Sequence, residues 1–182
     1  MKKIFFITIL FLAAAVSANA QITKATLQAS GLTCSMCSNA INKSLKSLDF
    51  VEKVEANIKN SSFDITFKPG SNVDIDQLKD KVEDAGFFVA SLTATVHFDN
   101  AALTNDSHIE IGGNTFHFLN IKDQTVNGDK TVKLLDKGYV TAKVFKQNSK
   151  FTSMTCYQTG KAGDCCSKAG IKEGARIYHV TI

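Results

Sequence analysis

Apolar and polar positions alternate with period two over residues 22–30, where Ala25, Leu27 and Ala29 stand between polar neighbours. That spacing predicts a strand. After a loop from Gly31 to Cys37 the period lengthens: Cys37, Ile41, Leu45 and Leu48 share one face of a helix starting near Ser38. Val54, Ala56 and Ile58 predict a second strand, Asn60-Ser61-Ser62 a turn, and Phe63, Ile65 and Phe67 a third strand. Pro69-Gly70-Ser71 interrupts the pattern. Asp74 with Gln77 resembles a capping box and opens a second helix, with Ile75, Leu78, Val82 and Ala85 on one face and Gly86 at its end. Phe88, Ala90, Leu92, Ala94 and Val96 alternate as a fourth strand. The order β-α-β-β-α-β predicts a ferredoxin-like unit within an α+β chain.

Beyond Val96 the helical period disappears. Residues 99–106 are rich in turn formers and read as a linker between a first domain over 21–98 and a second over 107–182. In the second, alternating runs at 107–111, 115–121, 131–135, 139–146, 151–157 and 175–182 are separated by Gly112-Gly113-Asn114, Asn127-Gly128-Asp129 and Asp136-Lys137-Gly138. Short strands at this spacing predict a small antiparallel barrel or sandwich.

The chain begins with a different pattern. Lys2 and Lys3 precede an apolar run from Ile4 to Val16, and Ala18-Asn19-Ala20 offers small residues at the positions a signal peptidase reads. The run is shorter than the about 20 residues of a membrane-spanning helix. The expectation is a cleaved signal peptide over 1–20, no stable membrane anchor afterwards, and a periplasmic or secreted product. Without Lys2 and Lys3 the net charge falls from +4 to +2, too small a surplus to imply nucleic-acid or membrane binding.

Export changes the reading of the cysteines. All five (Cys34, Cys37, Cys156, Cys165 and Cys166) follow residue 20 and would meet an oxidising compartment. Cys34 and Cys37 flank a loop that enters a helix, where the helix dipole and the free N–H groups of the first turn favour thiolates. Two soft thiolates select Cu(I), Zn(II) or heavier soft ions over Mg(II) and Ca(II). They leave Zn(II) short of four ligands, whereas Cu(I) accepts low coordination. A redox dithiol and a structural disulfide are the competing uses of the pair. The topology is not a thioredoxin pattern, and the one proline, Pro69, sits in a Pro-Gly turn.

Gly31-Leu32-Thr33-Cys34-Ser35-Met36-Cys37, between a strand and a helix, resembles the metal loop of heavy-metal-associated domains, and Asp84-Ala85-Gly86-Phe87 resembles the turn beneath that loop. Such domains occur in copper chaperones, copper-transporting ATPases and periplasmic mercuric-ion-binding proteins. The resemblance covers about residues 22–97. It implies metal binding by Cys34 and Cys37, loop shaping by Gly31 and Thr33, and an apolar anchor at Leu32 where the family usually has Met. It also places Phe87 under the loop, while Met36 either offers a thioether or covers the apolar edge.

Cys156, Cys165 and Cys166 close a Gly-rich stretch. They are read either as a disulfide staple from Cys156 to one of the adjacent pair, or as a second soft-metal site with Met154 or His179; a bond between Cys165 and Cys166 would be strained. His97, His108, His117 and His179 do not cluster in sequence and read as strand side chains. No Ser/His/Asp or Cys/His set, phosphate loop or carboxylate dyad is present. The expected function is therefore non-enzymatic: an exported metallochaperone or scavenger binding Cu(I), with Zn(II) or Hg(II) as other cargoes. Its expected partner is a metal-transporting ATPase or other metal-accepting protein. A mercuric-ion scavenger and a β-domain interaction protein with an oxidised Cys-x-x-Cys are the alternatives.

Overall fold

The computed structural model describes residues 21–182 apart from Thr33. The expected signal peptide and the role expected for Thr33 lie outside the described residues. No helix among the described residues is long and apolar enough to cross a membrane.

The N-terminal half follows the sequence pattern closely. Strand β1 is Ile22–Ser30, helix α1 Ser35–Lys46, β2 Val51–Asn57, β3 Ser62–Phe67, α2 Ile75–Asp84 and β4 Phe88–Leu103. The strands run antiparallel in the order β2-β3-β1-β4, the ferredoxin-like arrangement. Helix α2 is capped as its sequence predicts: an Asp74 carboxylate oxygen accepts from the N–H groups of Asp76 and Gln77, and the Gln77 amide donates to the other oxygen. Gly86, at φ +87°, takes the left-handed conformation that lets the chain leave the helix. Ile41 and Leu45 of α1 and Leu78 and Val82 of α2 pack on Leu27, Phe63, Ile65 and Leu92 of the sheet.

One helix boundary and two expected strands differ from the expectation. Helix α1 starts at Ser35 rather than Ser38, because Cys34 itself caps it. Residues 139–146, read as a strand, contain the helix α3, Ala142–Asn148, capped by the Thr141 hydroxyl accepting from Val144 N–H. The run 151–157 likewise gives the short helix α4, Cys156–Thr159, instead of a strand. In both runs the β-branched residues produced an alternation that is overridden, by the Thr141 cap in α3 and by the burial of Cys156 and Tyr157 in α4.

The larger difference concerns the linker and the second domain. Residues 99–103 continue β4 without a break, and only the turn at 104–107 separates it from β5, His108–Ile111. Strands β6 (Asn114–Phe118), β7 (Gln124–Leu134) and β8 (Ile177–Thr181) follow. They do not form the separate barrel or sandwich expected. The sheet continues through β4 as β4-β7-β8-β6-β5, eight strands in all, with β6 and β8 parallel. The Asn127-Gly128-Asp129 stretch, expected as a turn, lies inside β7. Gly128 at φ +72° and Asn100 at φ +45° mark the irregularity where β4 and β7 change register between Phe98 and Ala101.

The two faces of the extended sheet separate by strand parity. Phe116, Phe118, Tyr178 and Val180 join the core under α1 and α2, so His117 and His179 project to the opposite face. That face is covered by α3, α4 and the 3₁₀ turn Asp164–Ala169.

Side chains also tie α2 to the C-terminal segment. Arg176 grips the Asp76 carboxylate with two hydrogen bonds of 2.7 and 3.1 Å and reaches Asp136 at 3.2 Å. Burial pushes the Asp76 carboxyl up, but its hydrogen bonds from Arg176 and Tyr139 outweigh this and leave it below the usual range. Tyr139, fully buried, donates its hydroxyl to Asp76 at 2.7 Å, with the Ile75 carbonyl 3.0 Å away. Substituting Tyr139→Phe removes this buried, charge-assisted bond. The expected loss is about 1–3 kcal/mol, read as a lower urea midpoint at unchanged slope.

Candidate metal centre

Cys34 ends the loop in extended backbone (φ −151°) and serves as the N-cap of α1, its Sγ accepting the Cys37 N–H at 3.3 Å. Cys34 is exposed and Cys37 half-buried, one helical turn apart at the same helix end. Hydrogen bonding from the Cys37 side chain, then from its backbone N–H, lowers the Cys34 thiol below its ordinary value. The loop thus presents an accessible thiol, eased toward its thiolate, at the positive end of a 12-residue helix, with a second thiol beside it.

Of the supports expected for this loop, Gly31, Leu32 and Phe87 are where the sequence placed them. Gly31 has φ +83°, and a Cβ there would stand 3.9 Å from the Phe87 ring, so Phe87 lies directly beneath the loop. Leu32 is partly buried against the main core. Met36, by contrast, is 82 % exposed and covers no apolar edge.

The comparisons bear on this half of the chain. Residues 26–88 match the heavy-metal-associated domain. The copper chaperone CopZ of Staphylococcus aureus (strain bovine RF122 / ET3-1) is 32% identical over 63 residues, which span 35% of this chain and 91% of that protein. The chain belongs to the heavy-metal-associated domain family. A protein of Arabidopsis thaliana named "Probable copper-transporting ATPase HMA5" is 35% identical over 66 residues, 36% of this chain but only 6% of its own length. The crystal structure of oxidized MerP from Ralstonia metallidurans CH34 superposes with a TM-score of 0.34 at 25% identity, covering 37% of this chain and 92% of that one. The heavy-metal-associated match ends at Phe88, the first residue of β4.

Outside the heavy-metal-associated domain, the structure brings together residues that the sequence scattered. All five cysteines are free, so the disulfide staple from Cys156 is not formed. Cys156 from α4 and Cys165 and Cys166 from the following 3₁₀ turn converge, with Cys165 Sγ 3.5 Å from Cys166 Sγ. Over them stand three histidines in one row across the sheet: His108 of β5 pairs with His117 of β6, which pairs with His179 of β8. The His108 and His117 rings stack at 4.2 Å, and His179 meets His117 edge-on at 5.0 Å. His97 takes no part; it lies exposed on β4 beside Asp129.

The surroundings sort the protonation of this cluster. Burial, then the neighbouring His108 and His179, pushes His117 down to about 4, and burial lowers His108 as well, so both imidazoles are neutral at pH 7. Burial raises the Cys156 and Cys166 thiols. Burial pushes Cys165 up too, but hydrogen bonds from the Thr155 hydroxyl and the Cys156 backbone prevail and bring it to about 6. Sequence reasoning singled out the three cysteines and His179 and missed His108 and His117. The available signal was parity: each of the three histidines occupies a strand position facing away from the main core.

Proposed function

We propose that this chain is an exported soft-metal chaperone that holds Cu(I) between Cys34 and Cys37 and passes it to a metal-accepting protein such as a copper-transporting ATPase. The observation that carries the reading is the capping geometry. An exposed cysteine sulfur caps the N-terminus of α1, with a second thiol one turn away, in a loop whose relatives include a copper chaperone and a copper ATPase. Two thiolates satisfy Cu(I) and underfill Zn(II), which supports the copper reading over zinc. Because the pair is open to solvent, an incoming thiolate can join the ion before either cysteine leaves. Only metal–sulfur bonds change, and no enzymatic step is needed. The apolar run before Ala20 supports export.

The test is a transfer assay. Cu(I)-loaded protein is mixed anaerobically with an apo Cys-x-x-Cys domain of a copper ATPase beside a competing chelator. Copper is expected to reach the domain faster than it is released to the chelator alone, and Cys34→Ser/Cys37→Ser protein is expected not to deliver it. Transfer no faster than release to the chelator would overturn the chaperone reading.

A further inference from the structure

We propose that the C-terminal half holds a second, buried metal site, in which Cys156, His117 and His179 bind a d¹⁰ ion, Zn(II) or Cu(I). The site shares no residue with the Cys34–Cys37 loop and does not rest on the reading of that loop.

Three independent observations converge on it. The first is proximity: the ligand atoms of His117, Cys156 and His179 all lie within 4.8 Å of one another, and all three residues are fully buried. Cys156 Sγ and His117 Nδ1 are 3.6 Å apart. A sulfur about 2.3 Å and a nitrogen about 2.0 Å from one tetrahedral ion would stand about 3.5 Å apart, so this edge already has the length a shared ion needs.

The second observation is how the rings are held. His117 places its Nε2 3.0 Å from the Asp106 carboxylate, and His179 places its Nδ1 2.9 Å from Asp136. A carboxylate only accepts, so each of these nitrogens carries the proton and donates. In the neutral form of each ring the other nitrogen, His117 Nδ1 or His179 Nε2, is a bare lone pair. Outer-carboxylate support of this kind orients metal-bound histidines and raises their basicity.

The third is an unmet need. His179 Nε2 is fully buried and has no hydrogen-bond partner, an arrangement costly in a dry interior. An ion bound beside Cys156 would satisfy it. His108 Nε2, also buried without a partner, belongs to an adjoining group, His108–Cys156–Cys166, which shares Cys156 and can supply a further ligand. On binding, the Cys156 thiol loses its proton to solvent, and each imidazole binds through the ring nitrogen that does not face its carboxylate. A groove lined by His108, Thr115, Gly170 and Ile171 opens beside this group and gives an ion an approach.

The experiment uses the full chain carrying Cys34→Ser/Cys37→Ser, reduced and anaerobic, so that the loop contributes nothing. It is titrated with Co(II) as the optical stand-in for Zn(II), and with Cu(I) against a chromophoric chelator. One equivalent of at least one metal is expected to bind. Co(II) would show a thiolate charge-transfer band in the near ultraviolet, and the apo protein's Tm would rise on loading. Adding Cys156→Ser is expected to weaken binding at least about 100-fold and to abolish the band. Cys156 is buried, so Asp106→Ala, at a part-exposed carboxylate, provides a second reading: a loss of about 10-fold to 100-fold in affinity from a residue that touches no metal. No binding of either metal to the loop-less chain, or binding unchanged by both Cys156→Ser and Asp106→Ala, would mean a packed polar cluster only and would overturn the site.

Discussion

Replacing Cys34 and Cys37 together with serine is expected to remove one equivalent of tight Cu(I) binding and to weaken capture at the loop at least about a thousandfold, near 4 kcal/mol. Serine offers a hard hydroxyl that stays protonated at neutral pH, so neither the softness nor the charge of the thiolate survives. The fold is expected to be indifferent. Cys34 is exposed, and a serine there is itself a good N-cap, its oxygen taking over the bond from the residue-37 N–H. A binding loss with unchanged circular dichroism and Tm therefore reports on the ligands and not on α1. Equal Cu(I) stoichiometry in the variant and the parent protein would remove the loop from the account.

The second large effect belongs to Asp136. This carboxylate is 3% exposed and accepts three bonds: from His179 N–H at 2.7 Å, from His179 Nδ1 at 2.9 Å, and from Arg176 at 3.2 Å. Removing one partner of a buried ionic network strands the others, so Asp136→Ala is expected to cost about 3–5 kcal/mol. Arg176 keeps Asp76, but the two His179 donors are left in a dry site without an acceptor. Chemical denaturation of the metal-free protein measures the loss. Asp136→Asn, which retains an acceptor oxygen, should lose clearly less. A change under about 1 kcal/mol in the alanine variant would show that the network contributes specificity without stability.

The parts of this protein that were legible in its sequence are those governed by near neighbours. The Asp74–Gln77 cap, the left-handed Gly86 and the helical period of Ile41 and Leu45 are local, and each is found as the pattern implied. The spacing of Cys34 and Cys37 is equally local, but the helix starts three residues before the Ser38 expected from its apolar period, because the Cys34 sulfur is the cap. What was not legible depends on distant pairing. Nothing near Asn100 announces that β4 continues beside β7, because its turn-forming residues serve a register change inside a ladder. Val140, Ala142 and Val144 alternate like a strand, yet Ala142 and Val144 sit in α3, where the Thr141 hydroxyl caps the first turn. The row of His108, His117 and His179 exists only once β5, β6 and β8 are aligned, and that alignment is fixed by the two ladders.

The sixteen-residue β4 changes what it means to isolate the first half of this chain. In a chain ending at residue 98, Thr93 to Phe98 would lose their backbone partners Lys133 to Gly128 and become an open edge. Unpaired edges of that kind recruit other strands, including those of identical copies. The C-terminal half is thus also the guard on the metal-loop domain's flank, and excision after Phe98 would create an adhesive surface that the whole molecule does not have.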